Sequence, residues 1–122
     1  MTQIKDSLRA AVEVLVAEGP IKIRLSRAFD AHLEPLAELD LPPAIADLYH
    51  DLAAAMHRVD PVGRQTCVHA TVQKMSSVEA ASHAMTILTL YSSVLHQSER
   101  AGPLKVVERA VGAAPRYLVK NP

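Results

Sequence analysis

Proline and glycine interrupt this chain at well-separated points, and between the interruptions apolar residues recur every three or four positions. Such a period is typical of helices that bury one face, and proline or glycine ends a helix. The pattern therefore predicts an all-α fold, a single compact bundle of about five to six helices with a short extended C-terminal tail. The predicted helices of this single domain (residues 1–122) span residues 3–18, 21–38, 43–58, 64–75, 77–100 and 103–111, and the tail spans 112–122.

Residues at the segment ends predict where individual helices stop, bend and start. The Gly-Pro pair at 19–20 ends the first helix, because glycine accepts the left-handed conformation and proline cannot continue the hydrogen-bond ladder. Pro35 lies inside the second segment, so we expect a kink or an end near Glu34. Ser76 and Glu79 have the spacing of a capping box, in which each side chain bonds the other residue's backbone amide. This box predicts the start of the longest helix.

The composition excludes several classes of protein. An apolar fraction of 49% can fill a core, and a charged fraction of 21% keeps the surface hydrated. The single cysteine, Cys67, cannot form an internal disulfide and gives too few thiolates for a cysteine-based zinc site. The four glycines are dispersed, which argues against a phosphate-binding loop. The N-terminus lacks the features of a secretory leader, and no apolar run approaches the roughly 20 residues that span a bilayer. We therefore expect a cytoplasmic protein that does not act at a membrane.

Charge is distributed unevenly although the formal net charge is zero. Residues 30–60 carry seven acidic side chains against one basic, and residues 100–122 carry five basic against one acidic. A balanced total argues against a protein that binds nucleic acid through bulk charge. The segregation predicts complementary surfaces that set the orientation of a partner, with Lys105 and Arg109 on the basic one.

Surplus apolar surface points to association between copies of the chain. The apolar band of the predicted helix 77–100 is too wide for one contact face, so part of it is predicted to lie at a homodimer interface. The predicted interface residues are Val78, Ala81, Met85, Leu88, Tyr91 and Leu95.

The six histidines raise a second hypothesis, metal binding. Asp47 and His50 share a helix face, and His57 lies two turns further along, so these three side chains are the candidate ligands. The same positions lie opposite the apolar stripe of their helix, where solvated polar side chains are expected. No second helix supplies a matching ligand pair, so we predict no metal and no cofactor.

A third hypothesis, a DNA-binding regulator, comes from the tight Gly-Pro turn between the first two helices. Lys22, Arg24 and Arg27 follow that turn, as basic residues do on a base-reading helix. Carboxylates soon dilute this positive charge, and few side chains suited to reading bases share its face. Nucleic acid is therefore not the expected partner.

No arrangement of nucleophiles predicts catalysis. Cys67 could pair with His69, but the two are two positions apart, so a helix directs them to different faces. Ser76 and Ser77 could pair with His83, but helix capping explains both serines. We predict no catalytic residue. The function we expect is that of a small protein-binding or regulatory module, with the DNA-binding regulator and the metal- or small-ligand-binding protein as alternatives.

Overall fold

The described chain is built from helices joined by turns and short loops. The structure is a computed structural model that describes the backbone of residues 2–101 and the side chains of residues 3–97. Within that range the regular elements are all helical, which confirms the predicted all-α class. The elements are α1 (Thr2–Leu15), α2 (Ile21–Ala28), a π-helical turn (Phe29–Leu33), a 3₁₀-helix (Glu34–Glu38), α3 (Pro43–Met56), α4 (Cys67–Lys74) and α5 (Ser77–Ala101).

The predicted break at 19–20 is confirmed, but α1 ends at Leu15 rather than at residue 18. Gly19 adopts a φ of +115°, a left-handed conformation that suits glycine. The Arg24 side chain reaches back from α2 and donates hydrogen bonds to the carbonyls of Leu15 and Gly19, the latter at 2.8 Å. A cation on the free carbonyls of a helix C-terminus satisfies them and offsets the helix dipole. The end of α1 is therefore fixed by a residue of the next helix.

Side-chain caps account for the starts of the last two described helices. α4 begins at Cys67 rather than at residue 64, because Thr66 Oγ1 accepts the backbone N–H of His69 at 3.0 Å. Ser76 Oγ accepts the N–H of Glu79 at 3.0 Å, so the predicted cap of α5 forms. In a full capping box the Glu79 carboxylate would also accept the backbone N–H of Ser76. Here the carboxylate instead faces Arg58 at 3.5 Å and a histidine of α5 at 3.9 Å.

The predicted helix over 21–38 divides into three parts, with a change of geometry at Glu34 as expected. Because Pro35 has no backbone N–H, an unbroken α-helical ladder through this point is impossible. The Glu34 N–H bonds the carbonyl of Phe29, five residues back, which is π-helical spacing. The Leu33 carbonyl accepts the Tyr49 hydroxyl of α3 at 2.8 Å.

The last two predicted segments, 103–111 and 112–122, lie outside the described residues, as do Lys105 and Arg109.

α3 ends at Met56 rather than at residue 58, because His57 leaves the helical conformation with φ −108° and ψ 17°. No helix over residues 2–101 combines the length and the apolar content needed to cross a bilayer.

One side of α5 forms the centre of the core. It packs against α1, α2 and α3. In the same core cluster the Phe29 and Tyr49 rings stack with centroids 6.5 Å apart. The largest fully buried side chains come from nearly every element: Leu8, Leu25, Phe29, Leu33, Leu36, Ile45, Tyr49, Met56, Val68, Ile87, Leu90 and Val94. The opposite side of α5 is left outside this core.

The change of direction between the π-helical turn and the 3₁₀-helix, residues 29–38, is named the bend. Removing the Tyr49 hydroxyl tests its role in holding this bend. Tyr49→Phe keeps the buried ring but deprives the Leu33 carbonyl of its donor, so we expect the free energy of unfolding to fall by about 1–3 kcal/mol. Urea denaturation measures it, with Tyr91→Phe at a half-buried position of α5 as the matched control. Equal, negligible losses in both variants would show that the hydroxyl does not hold the bend.

Candidate functional site

The exposed side of α5 carries large apolar side chains in the open. The exposed fraction is 81% for Val78, 60% for Met85, 44% for Leu88 and 36% for Leu95. Ala81 is exposed as well, so five of the six predicted interface residues lie on this side. Soluble chains expose single apolar residues routinely, but a contiguous apolar row marks a place of contact.

The sixth predicted interface residue, Tyr91, lies elsewhere. It is half-buried and packs against the core cluster that includes Ile87 and Val94. Its helical position falls between those core residues, so it belongs to the inner side of α5. The apolar band that was predicted for this helix is therefore two bands, one inward and one outward.

The outward band follows a regular spacing. Steps of three and four residues connect Val78, Ala81, Met85, Leu88, Ser92 and Leu95, the row that we name the α5 stripe. Alternation of three and four is the spacing at which two helices pack their side chains together over several turns. At a rise of about 1.5 Å per residue the α5 stripe is about 26 Å long.

The surface around the α5 stripe carries little charge. Between residues 77 and 97 of α5 the one Asp, Glu, Lys or Arg is Glu79, whose side chain is 39% exposed and faces Arg58 at 3.5 Å. The exposed residues of α5 in this range are uncharged or histidine. They are Ser77, Val78, Ala81, Ser82, Met85, Leu88, Thr89, Ser92, Leu95 and His96. α1, in contrast, exposes Asp6, Arg9 and Glu13. A helix face with little charge loses little hydration when another surface covers it.

A groove lies beside the C-terminal end of the α5 stripe. Ala44 at the start of α3 lines it together with Ser92, Ser93 and His96 of α5, and its volume is about 370 Å³. Small side chains on both helices keep this space open. The groove can receive a side chain of a partner that packs along the stripe.

A second groove separates α2 from α4 and has a volume of about 690 Å³. Ile23, which is 51% exposed, and the buried Val72 supply its apolar lining. Lys22, Arg27 and His69 stand around it as donors or cations. The arrangement can hold a molecule with an apolar body and an acidic group.

Two of the three cations that suggested DNA binding have structural partners. Arg24 binds the C-terminal carbonyls of α1, as described above. Lys22 Nζ donates to the carbonyl of Gln73 near the end of α4 at 3.2 Å. Arg27 is exposed beside the second groove. The structure therefore accounts for Lys22 and Arg24 as groups that hold helix ends.

The candidate metal ligands do not form a cluster. Asp47 and His50 are exposed on α3, and His50 lies edge-on to the Tyr49 ring. His57 is directed to the bend instead, where Nε2 lies 2.9 Å from the Glu34 carboxylate. Within the described side chains, no three His, Cys, Asp or Glu residues lie close enough to hold one metal ion.

His57 is surrounded by groups that favour its charged form. Burial by itself lowers the pKa of an imidazole, but hydrogen bonds to the Ala53 carbonyl and the Glu34 carboxylate, with the charges of Glu34 and Asp30, outweigh it and raise the pKa of His57. Nδ1 lies 2.6 Å from the Ala53 oxygen, and only an imidazolium donates from both ring nitrogens. His57 therefore links the end of α3 to the bend.

Tyr49 is locked into the same region. Burial first, and the Glu34 charge next, raise the pKa of Tyr49 to about 12, against a smaller lowering by the Ala37 backbone N–H that bonds the hydroxyl. Its side chain is 1% exposed and donates to Leu33. Burial and the raised pKa make this hydroxyl a structural donor rather than a base for catalysis.

The side chains considered as nucleophiles are spread over two helices. Cys67 is half-buried at the start of α4, and His69 is exposed toward the second groove. Ser76 accepts the capping bond of α5, and His83 lies 3.9 Å from Glu79 within α5. The capping bond gives Ser76 a role in the local structure of α5.

The His57–Glu34 contact makes stability depend on pH. Because folding raises the pKa of His57, the contact stabilises the fold fully below the unfolded histidine pKa of about 6.5 and is lost as the pH rises through the folded value. In urea denaturation, Glu34→Gln is expected to reduce stability by up to about 1 kcal/mol at acidic pH near 6 and by less near pH 8.5. Glu38→Gln, on the same 3₁₀-helix, is the control and should leave the difference in stability between the two pH values as it is in the unmodified protein. An identical effect of Glu34→Gln at both pH values would contradict the coupling.

Comparison of this chain with protein-family models, with curated proteins and with solved structures gave no match.

Proposed function

We propose that the chain is a cytoplasmic protein-binding or regulatory module that works as a homodimer through the α5 stripe. The observation that carries this proposal is the apolar outer face of α5, with four large apolar side chains at least 36% exposed and Glu79 as the one charged side chain beside them. Water contact with such a row is unfavourable by about 25 cal/mol for each Å² of apolar surface. A partner that covers the stripe recovers this free energy.

Spacing supports a helix as the partner element, and a second copy is the simplest source of one. Homodimers with a two-fold axis are the commonest oligomers, and their interface uses the same surface on both chains. The α5 stripe offers the same apolar row on both copies without setting charged groups against each other. The cytoplasmic part of the proposal rests on the single half-buried thiol of Cys67 and the absence of a possible disulfide pair in the sequence.

The proposal assigns no catalytic activity and no cofactor to the chain. Among the titratable groups, His57 pairs with Glu34 and Tyr49 donates to the Leu33 carbonyl, and these contacts join α3 to the bend. Their bonds explain their positions without a substrate. Function is therefore sought on the outer surfaces.

A charge placed in the α5 stripe tests the proposal. Leu88 is 44% exposed, so Leu88→Asp is compatible with a folded monomer but buries a carboxylate in each half of a dimer. We expect dimerisation to weaken by on the order of 100-fold or more, measured by sedimentation velocity across a concentration series. Val16→Asp, at a position 76% exposed outside α5, is the matched control and should leave the dimer intact. Unchanged association of Leu88→Asp would contradict the proposed seam.

The groove between α2 and α4 favours a second candidate function, binding of a small amphipathic acid. Arg27 can bind a carboxylate, and Ile23 and Val72 can contact an apolar chain. This candidate uses a surface separate from the α5 stripe, so the two functions are compatible.

Octanoate is a suitable probe for this groove because it combines a carboxylate with an alkyl chain. In a heteronuclear NMR titration we expect saturable shifts at Ile23, Val72 and His69, weakened several-fold by Arg27→Gln. Arg9→Gln is the control, since Arg9 is an exposed arginine of α1 that pairs with Glu13 at 3.6 Å. Octanoate-induced shifts that are unchanged in Arg27→Gln, or that are spread evenly over the protein surface, would contradict an octanoate site in this groove.

A further inference from the structure

We propose that two copies pair their α5 stripes in antiparallel orientation around a two-fold axis between Met85 and Leu88. This inference rests on the proposed dimer and adds the orientation and the pairing of residues. The order of large and small residues in the described side chains sets the position of the axis. The position of the groove and the distribution of charge along α5 carry the antiparallel orientation.

The sizes of the side chains along the α5 stripe are symmetric about its centre. Antiparallel pairing around the axis brings Met85 opposite Leu88 of the second copy, and Ala81 opposite Ser92. Large residues then meet large residues in the centre, and small residues meet small ones on either side. Val78 and Leu95, both large, close the two ends. Parallel pairing in register sets each residue against its own copy and matches sizes equally, so the size order sets the position of the axis, and the groove and the charge choose the orientation.

The exposed knob and the groove lie at opposite ends of the stripe. Val78, 81% exposed, stands near the start of α5. The groove lined by Ala44, Ser92, Ser93 and His96 lies beside the other end. Antiparallel pairing brings Val78 of each copy to the groove of the other, and the two-fold axis repeats this contact. Parallel pairing instead brings Val78 against Val78 and leaves both grooves without that side chain.

Charge along α5 also favours the antiparallel arrangement. Glu79 lies next to Val78 and its side chain is 39% exposed. Parallel pairing places the two Glu79 carboxylates at the same end of the seam, whereas antiparallel pairing separates them by about 22 Å along the seam, beyond the roughly 8 Å screening length at physiological salt. Antiparallel helices also bring the positive end of each helix dipole beside the negative end of the other.

Disulfide cross-linking distinguishes the two orientations. In a Cys67→Ser background, one full-length chain carries Ala81→Cys and another, distinguished by a mass tag, carries Ser92→Cys. In the antiparallel seam these positions are opposite each other. Two copies of position 92 are then about 16 Å apart along the seam, well beyond the roughly 7 Å between Cα atoms that a disulfide tolerates.

The expected result under mild oxidation is a mixed Ala81→Cys and Ser92→Cys disulfide that forms at least roughly tenfold faster than the Ser92→Cys homodimer. Faster formation of the Ser92→Cys homodimer would overturn the antiparallel arrangement while leaving the dimer itself supported. Equal, slow cross-linking of all pairs would also overturn it. The mass of the Cys67→Ser protein before oxidation distinguishes failure of the dimer from failure of the orientation. A monomeric mass would contradict the proposed dimer, whereas a dimeric mass would show that only the antiparallel orientation is wrong.

Discussion

The Tyr49 hydroxyl is the contact on which the arrangement of the helices depends. It donates to the Leu33 carbonyl, which would accept the backbone N–H of Ala37 if the α-helix continued through this point. Pro35 has already removed a donor from this stretch, so the buried hydroxyl stabilises the bend that proline begins. The stacked Phe29 ring and the Glu34 contact of His57 hold α3 against the same bend.

This bend has a consequence for α5. α1, α2 and α3 pack on one side of α5, and on that side Ile87, Leu90 and Val94 fill the core. The opposite side of α5 lies outside the core. The apolar residues of that outer side, above all Val78 and Met85, are not needed for the fold of a single copy. Their regular spacing, with Glu79 as the one charged side chain beside them, supports the proposal that a partner covers them. The proposed function follows from this surplus rather than from any polar site.

Local pattern predicted the helices and much of the candidate surface. Pro35 and Ser76 act through neighbours in the chain, so their effects could be derived from spacing alone, and the exposed Met85 and Leu88 were in the predicted interface. Tyr91 was predicted for the same interface and is half-buried against the core cluster in the structure. A wide apolar band does not reveal which part of it meets the core. Contacts between distant segments could not be predicted. The pair of His57 and Glu34, 23 residues apart, is one, and it removes His57 from the metal cluster that spacing suggested.

The central claim is that the α5 stripe is covered by a second copy of the chain. The molar mass of the unmodified protein, measured by light scattering after size-exclusion chromatography, tests it most directly. The sequence mass is 13.2 kDa, so a dimer through the α5 stripe gives a species of twice that mass at micromolar concentration. A single species of 13.2 kDa at all concentrations up to the millimolar range would show that no second copy covers the stripe.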